Sequence, residues 1–165
     1  MKDRILFLLA GANVQRYHTV TTLVPETVGH HSHGVAMLVF LLDENPSPDL
    51  IFAALVHDLA EHQTGDIPAP SKREFGIGDQ MNALEERLLR DSGWMHRKLD
   101  PMDTRTLKLA DIAQGALYCV EEVARGNRKM KVVFDRYISY AEAMILSGTE
   151  KELFATIKEM ANECQ

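Results

Sequence analysis

The stretch Leu50-Ile51-Phe52-Ala53-Ala54-Leu55-Val56-His57-Asp58-Leu59-Ala60-Glu61 decides how this chain is read. Its first seven residues are apolar without a break. A helix that is apolar all round is buried. Ser47-Pro48 supplies an N-cap and a proline at the first helical position. A helix is therefore predicted over 48–63, and it carries His57-Asp58 into the interior. A buried carboxylate is costly unless it is paired or bound to a metal. Glu61 follows His57 by four residues and Asp58 by three, so on this helix all three line one side.

Helical periodicity continues in both directions. It predicts further helices over 2–12, 31–44, 78–92, 103–125, 129–147 and 150–163. Gly126-Asn127 is a C-terminal stop, Gly148 closes the sixth helix, and Thr149 with Glu152 makes a capping box for the seventh. No segment alternates apolar and polar residues in the manner of a strand. The fold class is all-α. Two irregular stretches, 13–30 and 64–77, break the pattern, and loops of this kind often carry functional residues. No repeat or linker divides the chain, which reads as one domain over 1–165.

Composition narrows the function classes. The 165 residues are 45% hydrophobic, which excludes disorder. Lys and Arg number 18 against 24 Asp and Glu, a formal charge of −6. That balance argues against a protein that coats long nucleic acid, although it leaves room for a single nucleotide. Cys119 and Cys164 form no CxxC and read as reduced thiols of a cytoplasmic protein. The apolar start, Ile5 to Ala12, is too short for a leader and reads as a helix packed on the core. No run of 18 apolar residues occurs, so no membrane span is expected.

The chemistry-bearing residues are clustered. His30, His31 and His33 open the second helix, His57-Asp58 ends the third, and Asp66 sits in Thr64-Gly65-Asp66. Asp111 stands in the middle of a long helix, where aspartate is a poor helix former. Imidazoles and carboxylates from three helices make a mixed nitrogen and oxygen donor set suited to Mn, Co, Ni, Fe or Zn. Spacing alone does not say which of His30, His31 and His33 belongs to it. Several neighbours read as ordinary. His62 and His96 are assigned to the core or the surface, and Asp91, Asp100 and Asp103 to salt bridges. Glu85-Glu86-Arg87, Glu121-Glu122 and Gln114 are assigned to wet helix faces, and the methionines to core or rim.

These residues and their flanks resemble the HD-domain metal-dependent phosphohydrolases. The match runs through Arg16-Tyr17, Glu26-Thr27-Val28, His31-Ser32, Val35-Ala36-Met37, His57-Asp58-x-x-Glu61, Thr64-Gly65-Asp66-Ile67-Pro68 and Pro70-x-Lys72. Lys108-x-Ala110-Asp111, Glu121-Glu122 and Gly126-Asn127 extend it. It covers about residues 14–128 and is similar to the bacterial 5'-deoxynucleotidase branch and to small phage dATP triphosphohydrolases. The resemblance implies an HD-type bundle of six or seven helices, with His31, His57, Asp58 and Asp111 as metal ligands. It implies catalytic roles for Glu61 and Asp66 and substrate contacts from Arg16, Tyr17 and Lys72. It also implies a divalent transition metal (Mn, Co, Zn, Ni or Fe), with a second Mg on the phosphates. The partner implied is a small deoxynucleotide, with no nucleic-acid polymer and no membrane, in a cytoplasmic homo-oligomer. His30 stands where the family has Glu and is expected to be exposed. Tyr17 stands where it has Trp, and His18 where it has Pro.

The expected reaction is hydrolysis of a 2'-deoxynucleotide at the phosphorus next to O5'. A dNTP would give deoxynucleoside and triphosphate. The alternatives are a dNMP 5'-nucleotidase, cleavage of a cyclic or alarmone nucleotide, and a non-catalytic metal-binding scaffold.

Overall fold

The structure is a computed structural model that describes residues 1–164. The elements are α1 (Lys2–Ala12), α2 (Val28–Leu42), α3 (Pro48–Val56), α4 (Glu61–Thr64), α5 (Ala69–Glu74), α6 (Gly78–Asp91), α7 (Pro101–Ala124), a 3-10 turn (Arg128–Met130), α8 (Lys131–Ala143) and α9 (Gly148–Glu163). Among the described residues there is no strand, and one isolated bridge pairs Gln15 with Thr27. The all-α expectation holds. No helix of the described residues is long and apolar enough to cross a membrane.

Helix α7 is the axis of the bundle. Leu109, Ala110, Ile112, Ala113, Ala116, Cys119 and Val120 are buried along it, and α2, α3, α8 and α9 pack around it. Its small side chains let neighbours approach closely. At Gly115 an added Cβ would collide with the Tyr137 ring, so the missing side chain is what lets α8 lay Tyr137 across α7. Phe154 and Ile157 of α9 are buried in the same core, so the last helix covers its own chain. A smaller cluster of Phe7, Val56, Leu59, Ala60 and Leu89 joins α1 and α6 to the end of α3.

Several boundaries differ from expectation, each for a local reason. Helix α2 starts at Val28 because Thr27 caps it, its side chain accepting from the His30 N–H at 3.3 Å. Helix α7 starts at Pro101 because Asp100 accepts from the N–H groups of Met102 and Asp103, both at 2.8 Å. Asp100 is thus a helix cap, while Asp103 accepts from the Ser47 hydroxyl at 2.7 Å. Helix α8 ends at Ala143 and Ile145 takes a left-handed φ of 56°. Arg105 holds that turn, reaching the Met144 carbonyl at 3.0 Å and both oxygens of Glu150 at 2.7 and 2.8 Å. The capping box of α9 is Ser147 with Glu150, not Thr149 with Glu152, and Gly148 opens α9 instead of closing α8. The irregular stretch 64–77 contains the short helix α5.

The predicted helix over 48–63 is the most consequential difference. It breaks after Val56 and resumes at Glu61. Between them the bonds tighten to i+3 spacing, Leu59 N–H to Val56 and Glu61 N–H to Asp58, each at 3.0 Å. Side chains three apart eclipse in such a turn. Asp58 and Glu61 therefore share a side because of the turn, not because of a continuous helix.

Candidate metal centre

Helix α2 contributes His31, which is fully buried. The turn after α3 contributes His57 and Asp58, and α7 contributes Asp111. One donor atom from each of His31, His57 and Asp58 lies within 4.8 Å of the others. Asp58 Oδ2 is 3.5 Å from His31 Nε2 and 3.3 Å from His57 Nε2. Asp111 Oδ1, outside that trio, lies 3.3 Å from His31 Nε2. His30 and His33, the neighbours that spacing could not exclude, are exposed.

The donor set fits a divalent cation. His57 Nδ1 sits 3.0 Å from the Ala54 carbonyl, which can only accept, so Nδ1 carries the proton and Nε2 the lone pair. His31 Nδ1 is bonded to the Gln114 amide oxygen. Both Nε2 atoms are buried without a hydrogen-bond partner. Two imidazole lone pairs and the Asp58 carboxylate thus converge as donors, with Asp111 beside His31, a mixed nitrogen and oxygen set of the kind that takes a divalent cation. Second partners on the far ring nitrogen are the usual accompaniment of metal-ligating histidine.

The carboxylates differ in charge state. Burial works against ionising Asp58, but His57, Arg16 and His31 together hold its carboxyl below the usual range. Burial likewise opposes the Asp111 charge, and Lys108, 2.9 Å away, with His31 overrides it, leaving the carboxyl well below that range. Burial pushes His57 below the usual imidazole value. Glu61 goes the other way. Its burial, with Asp58 and Asp66 nearby, pushes the carboxyl up to about 10, and Oε2 has no partner. It is a neutral acid beside anionic neighbours, a pattern that separates proton donors from charge-bearing ligands.

The remaining predicted residues border this centre. Arg16 is buried, with Nη1 2.8 Å from Asp58 Oδ2 and Nε 3.2 Å from Glu26 Oε2. Tyr17 adopts a left-handed φ of 57°. Its ring stacks on Tyr118 at 4.7 Å, its hydroxyl meets that of Tyr137 at 2.9 Å, and its N–H donates to Asp66 Oδ2 at 3.1 Å. Lys72 stands farther out, 3.3 Å from Glu85 Oε1. Glu85 is thereby half-buried and paired, not a solvated residue. His62 is bonded to the Leu59 carbonyl at 2.8 Å and packs edge-on against Phe7.

Two expectations of wet helix faces fail on α7. Gln114 is buried and bonds both His31 and Glu26, the latter at 2.7 Å. Glu122 is fully buried and accepts from the N–H groups of Leu23 and Val24 at 2.7 and 2.8 Å and from Asn127 Nδ2 at 2.7 Å. Asn127 Nδ2 also donates to the Thr21 carbonyl at 2.8 Å, and the Tyr118 hydroxyl donates to the Val24 carbonyl at 2.7 Å. These bonds pin the arm over 13–27 that carries Arg16 and Tyr17. The signal for Gln114 was its position three residues after Asp111, on the same helix face.

Residues 13–93 match the family model of the HD domain. The chain carries an HD domain. Its fold is similar to that of the cyanophage S-2L HD phosphohydrolase DatZ, solved bound to dA and one catalytic Zn2+ ion. That likeness has a TM-score of 0.65 and 19% identity, over 96% of this chain and 96% of that one. It is similar also to the PH0347 protein of Pyrococcus horikoshii OT3, with a TM-score of 0.73 and 22% identity over the full length of both chains. No curated protein matches this chain. The two structural likenesses establish the shared fold of this HD protein.

Proposed function

We propose that this HD protein is a metal-dependent phosphohydrolase of 2'-deoxynucleotides, and that a dNTP, dATP first, is converted to deoxynucleoside and triphosphate. The observation that carries the reading is the pair of buried, partnerless Nε2 atoms of His31 and His57 facing Asp58. The cyanophage neighbour, solved with dA and one catalytic Zn2+, supports the substrate class. His31, His57 and Asp58 would hold the cation, with Asp111 completing the set.

A divalent cation there lowers the pKa of a water and neutralises phosphoryl charge. The chain's own residues do the rest. Water attacks the α-phosphorus in line with O5', the P–O5' bond breaks, and its electron pair leaves with O5'. Glu61, kept protonated by its surroundings, donates the proton that O5' takes up, and its carboxylate then takes the proton that the attacking water gives up. Phosphoryl transfer is mostly positioning and charge neutralisation. Arg16 serves it with Nη2, the guanidinium nitrogen outside its contacts to Asp58 and Glu26, and Lys72 serves it after loosening from Glu85. A second Mg on the phosphates would add to this charge. Tyr17, its ring stacked on Tyr118 and its hydroxyl against that of Tyr137, would be the rigid wall that excludes a 2'-hydroxyl.

Product analysis with dATP, dAMP and ATP in the presence of Mn2+ or Co2+ tests the reading. Deoxyadenosine and triphosphate from dATP, with ATP spared, is the expected result. Inorganic phosphate from dAMP alone would move the assignment to a 5'-deoxynucleotidase. Metal binding without turnover of any nucleotide would leave a scaffold.

A further inference from the structure

Gln114 is held in one orientation from both ends. The Glu26 carboxylate, fully buried and 3.2 Å from Arg16 Nε, offers only acceptors. The Gln114 amide nitrogen must therefore face it, and does so at 2.7 Å. The amide oxygen is left facing His31 Nδ1. An oxygen at that place admits only Nδ1–H, and His31 Nε2 is left with its lone pair pointing at Asp58 and Asp111. Arg16 meanwhile passes from Glu26 to Asp58 Oδ2 at 2.8 Å. The path His31, Gln114, Glu26, Arg16, Asp58 closes on itself, since Asp58 Oδ2 stands 3.5 Å from His31 Nε2.

We propose that the buried Gln114–Glu26–Arg16 chain is a positioning ring that fixes the tautomer of His31 and the pose of Asp58 for the cation. Gln114 and Glu26 act through the ligands, Gln114 by its bond to His31 and Glu26 by its contact with Arg16. The fold makes space for this arrangement. A Cβ added at Gly34 of α2 would lie 2.8 Å from Gln114 Cγ, so a side chain there would push the amide off His31. The inference rests on the metal reading of His31, His57 and Asp58. Partners of metal ligands typically change affinity by about 10–100-fold when removed.

The test is Co2+ affinity by calorimetry on the full chain, with 15N NMR of His31 in the metal-free protein as a second readout. Gln114→Met should weaken Co2+ binding about 10–100-fold and cost His31 its Nδ1–H. Gln114→Glu sets two carboxylates against each other and should weaken binding similarly. Adding Glu26→Gln to it returns a donor between the two positions and should recover most of the loss. Gly34→Ala, which favours the helix locally, should still weaken binding. Unchanged Co2+ affinity in Gln114→Met, with the Nδ1–H retained, overturns the ring while leaving the metal centre standing. Unchanged affinity in His31→Ala overturns the metal centre and the ring with it.

Discussion

Tyr17 donates its backbone N–H to Asp66 Oδ2 at 3.1 Å, which joins the arm before α2 to the loop after α4. The bond falls at a residue in the left-handed region, where a non-glycine backbone is strained and needs outside support. Asp66 therefore has two tasks available to it: it holds the arm, and its charge helps keep Glu61 protonated. The two separate by substitution. Asp66→Asn keeps an acceptor for Tyr17 and should leave KM for dATP near wild type while lowering kcat. Asp66→Ala removes the acceptor and should also raise KM, by roughly 10-fold or more, as expected for losing a hydrogen bond to a charged group. Steady-state kinetics of both variants decides it. Equal KM values would show that the tether does not shape the substrate site.

Glu61 sits beside the metal centre as a neutral acid and is not among the three residues whose donor atoms converge. Glu61→Gln should lower kcat by about 10²–10⁴, the usual contribution of a positioned proton donor. Co2+ affinity should not change. Calorimetry and single-turnover rates on the same preparation check both halves. A variant with full turnover would remove Glu61 from the chemistry.

Cation binding should stabilise the fold. At a concentration 100-fold above Kd the gain is about 2.7 kcal/mol, which for a chain of this size raises Tm by roughly 5–10 °C. Scanning calorimetry with and without Co2+ measures it. His57→Ala should abolish most of the shift, because it removes one of the two Nε2 donors.

Glu122 supplies stability that depends on pH. Burial raises its pKa, but Asn127 Nδ2 and the N–H groups of Leu23 and Val24 outweigh burial, so the folded carboxyl lies below its ordinary value of 4.5. A depressed folded pKa contributes stability above the unfolded value and loses it as pH falls through the folded one. Glu122→Gln should therefore be destabilised by about 1–3 kcal/mol at neutral pH. Its unfolding curve should converge with wild type in acid, below pH 4.5. Urea titrations at several pH values test the convergence.

The apolar run over 50–56 was enough to place a buried helix ending in His-Asp, because burial on all sides has no other sequence signature. Family resemblance singled out His31 among three neighbours, and α2 turns that one inward. The break after Val56 was invisible, since His57 to Ala60 contains no glycine or proline to announce it. Gln114 and Glu122 were misread because a polar residue on a long helix looks solvated until its partner is known. Those partners, Glu26 and the backbone at Leu23 and Val24, lie about a hundred positions away in the chain. Interactions of that span leave no periodic trace.

Glu122 grips the arm by main-chain amides, so it is indifferent to which side chains Leu23 and Val24 carry. Residues at the outer bend of the arm can drift, or be randomised in a library, while its mooring stays in place. Substitution at that bend therefore leaves the grip of α7 on the arm intact, and with it the placement of Arg16 against Asp58.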